Sequence, residues 1–362
     1  MSLNRFVFFY REETGLNHMW QKVMSGGVYT IAEMSGNHAG KLENALAIVH
    51  AAKAAGADCL KIQTYTADTI TLDSDNPCFF IHGGTWDGYR LYELYQDAGT
   101  PLEWNAIIKQ ECEKVGIDFL STPFDKTAVD LLEDIGAEIY KIASPELIDI
   151  PLIEYVASKG KPMLISCGMG SEEEIQEAVE ACHRQGNDRI ILLKCCSDYP
   201  AQYDEMNLNA IPDMAKKFGV KVGLSDHSMG SLASVVAVAL GACVIEKHMC
   251  LSREIENPDS SFSMEPAEFR TLVTDVNNAR QTLGAAKYQL SEGEQRSKLF
   301  RKSIFIAEDV EPGDVLTEKN LRVVRPSNGL HPRYYNGLLG KKVSKKLSKG
   351  TPFDWNMIEN EE

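Results

Sequence analysis

From residue 28 onward the chain repeats one pattern, a short apolar β-prone run, a polar tip, and a stretch with apolar positions three and four apart. Eight such runs predict strands at 28–34, 59–64, 118–123, 139–144, 162–168, 190–197, 221–228 and 243–249. The stretches between them read as helices. Leu46, Val49, Ala52 and Ala55 share one face of the first, and Leu131, Leu132 and Ile135 recur later. Glycines such as Gly56, Gly116 and Gly219 stand where those helices should end. Eight alternations of strand and helix are what an α/β chain needs to close as a (β/α)8 TIM barrel. An open doubly wound sheet competes, but no G-x-G-x-x-G follows the first strand.

Two departures interrupt the repeat. A long insertion at 65–100, containing Trp86-Asp87-Gly88-Tyr89 and the run LYELY, separates the second and third strands, where it is expected to shape substrate access. After the eighth strand come a polar loop at 251–263 and a last helix at 266–283, and then the composition shifts. The reading is an N-terminal extension at 1–27, a barrel at 28–289, a charged linker at 290–302 and a small β-rich domain at 303–362. The extension reads as a tag or as an extra strand packed under the barrel. In the tail, SIFIAEDV and LRVVRP predict short strands, with turns at Pro312-Gly313-Asp314 and Gly350-Thr351.

A formal charge of -15 and a pI near 5.1 argue against nucleic acid or an anionic membrane as partner. Any anionic substrate then needs positive charge concentrated locally. Nine cysteines without regular spacing or a C-x-x-C read as reduced thiols in a cytoplasmic protein. No apolar run is long enough to cross a membrane, and the first twenty residues do not form an export signal.

Candidate chemistry gathers at the strand tips. Ser225-Asp226-His227-Ser228 and Glu246-Lys247-His248 close two consecutive strands, so His227 and His248 can converge as a pair of metal ligands. Read as a ring, the tips add Glu33, Asn37 and His38, then Lys61 and Gln63, Thr122, Lys141, Ser144 and Glu146, Ser166, and Lys194, Ser197 and Tyr199. Lysines among hydroxyls suit a phosphate. Carboxylates beside two histidines suit acid–base work and a metal.

The motifs IAEMSGNHAG, LKIQTYT, FLSTPFD, YKIASPE, LISCGM, GLSDHS, EKH and NPD, followed by VVRPSNGL in the tail, resemble the sialic acid synthase family, which joins a (β/α)8 barrel to a small antifreeze-like (SAF) domain. The insertion, with LYELY and TPLEW, is more similar to the pseudaminic acid synthase branch than to the N-acetylneuraminic or legionaminic acid branches. The resemblance implies condensation of phosphoenolpyruvate with the open-chain aldehyde of an acetamido sugar, giving a nine-carbon 2-keto acid and phosphate. It implies Mn²⁺ or Mg²⁺ on His227 and His248, with phosphoenolpyruvate on Lys61, Thr122, Lys141, Ser144, Ser166 and Ser225. Glu33, Gln63, Glu146, Tyr199 and Asp259 are implied to line the sugar and the reacting carbons. Glu33 and Glu146 both stand as carriers of the proton. Arg325 of the tail is implied to meet an acetamido group in the partner barrel of a domain-swapped homodimer. Pro145 and Ser197 depart from the family pattern, and Ser197 bears on a phosphate or sugar contact.

Three alternatives carry different expectations. The same condensation on N-acetylmannosamine or the legionaminic acid precursor keeps the tips and changes only the sugar walls. A metal-dependent sugar deacetylase needs more His or Asp ligands, often an H-x-H on the first strand. A non-catalytic sugar-binding protein has little use for a divalent metal beside a phosphate pocket.

Overall fold

Eight parallel strands close into a barrel in chain order in the computed structural model, which describes residues 17–359. They are Tyr29–Glu33 (β1), Cys59–Thr64 (β2), Asp118–Pro123 (β3), Tyr140–Ile142 (β4), Met163–Ser166 (β5), Ile190–Cys195 (β6), Lys221–Asp226 (β7) and Val244–His248 (β8). β8 returns to pair with β1, with Glu33 opposite His248. The strands are apolar on both faces because both are covered, by helices outside and by side chains inside. Several predicted strands ran too long. Ser144, Ser197 and His227 lie just beyond strand ends, on the loops that form the mouth.

The helices end where the sequence placed glycine. Leu42–Ala55 stops at Gly56, whose φ of 90° lies in the left-handed region that other residues avoid. At the other end of a helix, Asp125 accepts from the backbone N–H groups of Thr127 and Ala128 and caps Lys126–Asp134.

Residues 18–24 correct the reading of the extension. They form a helix, not a strand, capped by Asn17, and Met19 and Val23 are buried against Tyr29, Ile31 and Leu164 inside the barrel. Lys22 pairs with Asp58 at 2.5 Å. This helix closes the N-terminal end of the barrel, and burying its two apolar side chains is worth ~1.5–3 kcal/mol each. Residues 1–16 of the predicted extension lie outside the described residues.

The chain divides into two units, one ending at Gly284 and one beginning at Ala285. The second opens with a short helix, Glu292–Ser297, held by a reciprocal Ser291–Glu294 cap inside the stretch read as linker. Its strands Ser303–Ile306 (β9) and Leu321–Val324 (β10) pair antiparallel over a separate core that includes Ile304, Leu321, Leu338 and Phe353. Gly329 packs so closely that a Cβ there would stand 2.0 Å from the carbonyl oxygen of Ile304, so only glycine fits.

Candidate active site

Alternation along the strands builds the site. Ile31, Cys59, Leu120, Leu164 and Val244 point into the lower barrel and form its apolar floor. Two positions further on, the same faces present Glu33, Lys61, Thr122, Ser166 and Glu246. The change from apolar to polar within one step of the pleat separates a packed core from a reactive mouth.

Glu246 stands at the centre of this layer. It accepts from Lys141 Nζ at 3.2 Å and from Ser225 Oγ at 3.0 Å, and lies 3.5 Å from Lys61 Nζ. Burial opposes its charge, but the Lys141 and Lys61 ammonium groups prevail and hold its pKa down to about 2. Lys61 also lies 2.8 Å from Glu33 Oε2, an ion-pair contact without hydrogen-bond geometry, and donates to Thr122 Oγ1 at 3.4 Å. Gln63 donates to Glu33 Oε1 and to Ser35 Oγ, each at 3.1 Å. Burial pushes Glu33 above the usual carboxylate range against the pull of Lys61. Burial also holds Lys141 below the usual lysine range in spite of Glu246.

Around this layer sit the loop residues. The His227 and His248 rings are 5.4 Å apart, centre to centre. Since the carbonyl of Cys196 can only accept, the 2.9 Å contact puts a proton on His227 Nδ1, so the neutral ring keeps its lone pair on Nε2. Tyr199 stacks on His227 at 4.2 Å and touches Trp86 and Phe262. Ser144 Oγ accepts from the N–H of Gly168, and a Cβ on Gly168 would stand 2.2 Å from Ser197 Oγ. Asp259 accepts from the N–H of Gly36 at 2.8 Å, tying the loop after β8 to the loop after β1. Burial raises its pKa. Glu146 faces the open mouth, and burial raises its pKa to about 7.

Seven buried side-chain oxygen or nitrogen atoms among the described residues have no hydrogen-bond partner. Five of them belong to this site, on Glu33, Glu146, Ser166, Glu246 and His248. A folded chain leaves so many polar atoms unsatisfied in one place when a ligand is to meet them. Above them opens a cavity of about 360 Å³, lined by Gln63, Glu146, Ser197, Tyr199, His248 and Asp259 and by apolar residues of the 65–100 insertion.

Not every polar tip joins the site. Asp226 and Lys247 pair at 3.0 Å on the outer face of the strands, where Asp226 accepts from Ser228 and Ser234. His38 packs on Trp104 and meets Thr100, and Asn37 donates to Ser263. Lys194 donates to the carbonyl of Cys195. These groups hold strands and loops together. Arg325 lies in the second unit, exposed just past β10. Conversely, polarity along the sequence marks Glu246 only as a neighbour of His248 and assigns it no role. Its spacing of two from His248 and its register opposite Ser225 are the signals that assign it inward.

The NeuB family model matches residues 48–288, and the SAF domain model matches 301–359. The chain belongs to the NeuB family, the sialic acid synthases. This NeuB chain is 46% identical to a pseudaminic acid synthase of Campylobacter jejuni, over 89% of its length and 94% of the relative's. It is 41% identical to a pseudaminic acid synthase of Helicobacter pylori, over 91% and 97% respectively. Among solved structures, an N-acetylneuraminic acid synthetase of Leptospira borgpetersenii superposes with a TM-score of 0.67 at 33% identity, covering 75% of the NeuB chain and 90% of that structure.

Proposed function

We propose that the protein condenses phosphoenolpyruvate with the open-chain aldehyde of a diacetamido-trideoxyhexose, as a pseudaminic acid synthase. The observation that carries this is the buried layer of Lys61, Lys141, Thr122, Ser166 and Ser225 around Glu246, beneath a cavity with a polar floor and an apolar wall. A small anion fits the lysines and hydroxyls, and a chain of sugar size fits the cavity.

The chemistry forms one carbon–carbon bond, between C3 of phosphoenolpyruvate and the aldehyde carbon, while the aldehyde oxygen takes a proton. Water adds at C2 and its two protons end on the aldehyde oxygen and on the departing phosphate; the bond from C2 to the bridging oxygen breaks, leaving a ketone at C2. Lys61 and Lys141 neutralise the phosphate and carboxylate of the bound substrate. Gln63, Tyr199 and Asp259 orient the sugar over that site. Glu33 is engaged by Lys61 and Gln63. Glu146 lines the cavity and has a pKa raised by burial to about 7, so it is the carboxylate poised to exchange a proton near neutral pH.

His227 and His248 are the residues that would hold a divalent ion, Mn²⁺ or Mg²⁺. The free Nε2 of His227 and the unpartnered Nδ1 of buried His248 fit that role, and no third protein ligand clusters with them among the described residues. When bound, the ion acts as a Lewis acid on the aldehyde oxygen and positions water.

The working form in this reading is a cytoplasmic homodimer in which Arg325 reaches the acetamido group held by the partner. The exposure of Arg325 and the nine free cysteines support it. The test is phosphate release from phosphoenolpyruvate and Mn²⁺, offered the diacetamido-trideoxy precursor, the legionaminic acid precursor and N-acetylmannosamine in parallel. Release confined to the first sugar is expected. Release with another sugar instead would overturn the assigned substrate, and release with none would overturn the condensation.

A further inference from the structure

The cavity has two unlike sets of lining residues. The strand tips and the loops after them contribute its polar residues, whereas the 65–100 insertion contributes Ile70, Ile81, Leu91, Leu94 and Tyr95, with Phe124 from the loop after β3. Tyr65 braces this wall, edge-on to Tyr95 at 5.7 Å and to Phe124 at 5.1 Å. The insertion is tied to itself and to the mouth. Arg90 bridges Asp73 at 2.5 Å and Glu93 at 3.1 Å. Trp86 Nε1 donates to the carbonyl of Pro258 at 3.0 Å, and the Thr85 hydroxyl donates to the carbonyl of Tyr199. These ties hold the wall against the mouth, so its shape can discriminate.

Chemistry fixes which end of the sugar meets it. The aldehyde carbon must lie at the polar end, beside Gln63 and His248 and above the lysines. The opposite end of an open-chain hexose then points toward the insertion. The acetamido groups carry N–H and C=O groups that need polar partners, which Ile70, Ile81, Leu91 and Leu94 do not offer. A terminal methyl needs none. A terminal hydroxymethyl seated against Ile81, Leu91 and Leu94 would lose its water and gain no hydrogen bond from their side chains.

We infer that Ile81, Leu91 and Leu94 are specificity-determining residues that read the last carbon of the sugar and favour a methyl there over a hydroxymethyl. The inference rests on the condensation proposed above and adds the part of the chain that selects among its sugars. Because a purely apolar pocket rejects an added hydroxyl only moderately, the preference should be about 10–200-fold in kcat/KM.

The test uses the full-length protein with phosphoenolpyruvate and Mn²⁺, and two sugars differing only at the sixth carbon, one 6-deoxy and one 6-hydroxy. Ile81→Thr and Leu91→Gln place a hydrogen-bonding group at half-buried wall positions with little disturbance to the core. Each should bring the preference to within about fivefold, chiefly through kcat/KM for the deoxy sugar, with KM for phosphoenolpyruvate unchanged as evidence of an intact lower site. A wild-type enzyme active on both sugars without preference, or a preference that survives in both variants, overturns the inference alone. A wild-type enzyme that releases phosphate with neither sugar overturns the condensation, and the inference falls with it.

Discussion

Lys141 donates to Glu246 across 3.2 Å in the barrel interior, where the two residues are 2% and 4% exposed. The pair holds a positive and a negative charge out of water at the spot where an anionic substrate would bind. Such an arrangement is stable only while both partners are present.

Replacing Lys141 with Met should therefore do two things. It should strand the Glu246 carboxylate beside Lys61 alone and destabilise the fold by about 3–5 kcal/mol, read from the denaturant midpoint. It should also abolish the rise in Tm that phosphoenolpyruvate gives the wild-type protein. A variant still stabilised by phosphoenolpyruvate to the wild-type extent would remove Lys141 from the anion site.

Glu146 sets a pH dependence. With its folded pKa raised from 4.5 to about 7, it is protonated below that pH and ionised above it, so turnover that needs its carboxylate should rise through about pH 7. Glu146→Gln should flatten that limb of the profile. Stability moves the other way. The folded state holds a proton that the unfolded state has lost, so ionisation weakens the fold as pH climbs from 4.5 toward 7. At pH 8 the Gln variant should be more stable than wild type by about 1–3 kcal/mol, and equal stability at pH 4 and pH 8 would contradict the buried, unpartnered carboxylate.

Removal of divalent ions should stop phosphate release, and Mn²⁺ should restore it. His248→Ala should weaken Mn²⁺ binding, measured by the ion's paramagnetic resonance, by at least about tenfold. Full activity in chelator would refute the metal role of the two imidazoles.

Lys247 provides the contrast, because it pairs with Asp226 on the outer face of the barrel rather than in the mouth. Lys247→Met should destabilise by about 3–5 kcal/mol, since Asp226 is fully buried. KM for both substrates should stay within about twofold of wild type, as nothing at the reacting site is removed. A large change in either KM would place Lys247 in the catalytic layer.

The barrel was legible in the chain because its signals are local. Eight apolar runs, each followed by an amphipathic stretch and a glycine stop, can assemble as a closed parallel sheet in a helical shell. The residue types of the site were legible for the same reason, since alternation puts Lys61 and Gln63 on one face and Ser225 on the face of the residue two before it. Adjacent tips such as Asp226 and His227 looked alike, because polarity alone does not say which side of a strand a residue faces once the strand has ended.

Sequence by itself determined the strand order, the separate tail and the cluster of lysines, hydroxyls and histidines, all of which follow from periodicity and composition along short stretches. Only the tertiary structure decided that Glu246 lies between Lys61 and Lys141, that Asp226 and Lys247 face the helices, and that residues 18–24 close the barrel as a helix. It also decided that the insertion supplies an apolar wall to the cavity. These relationships join residues tens to hundreds of positions apart, and barrel closure and loop packing set their distances in three dimensions, where no period along the chain records them.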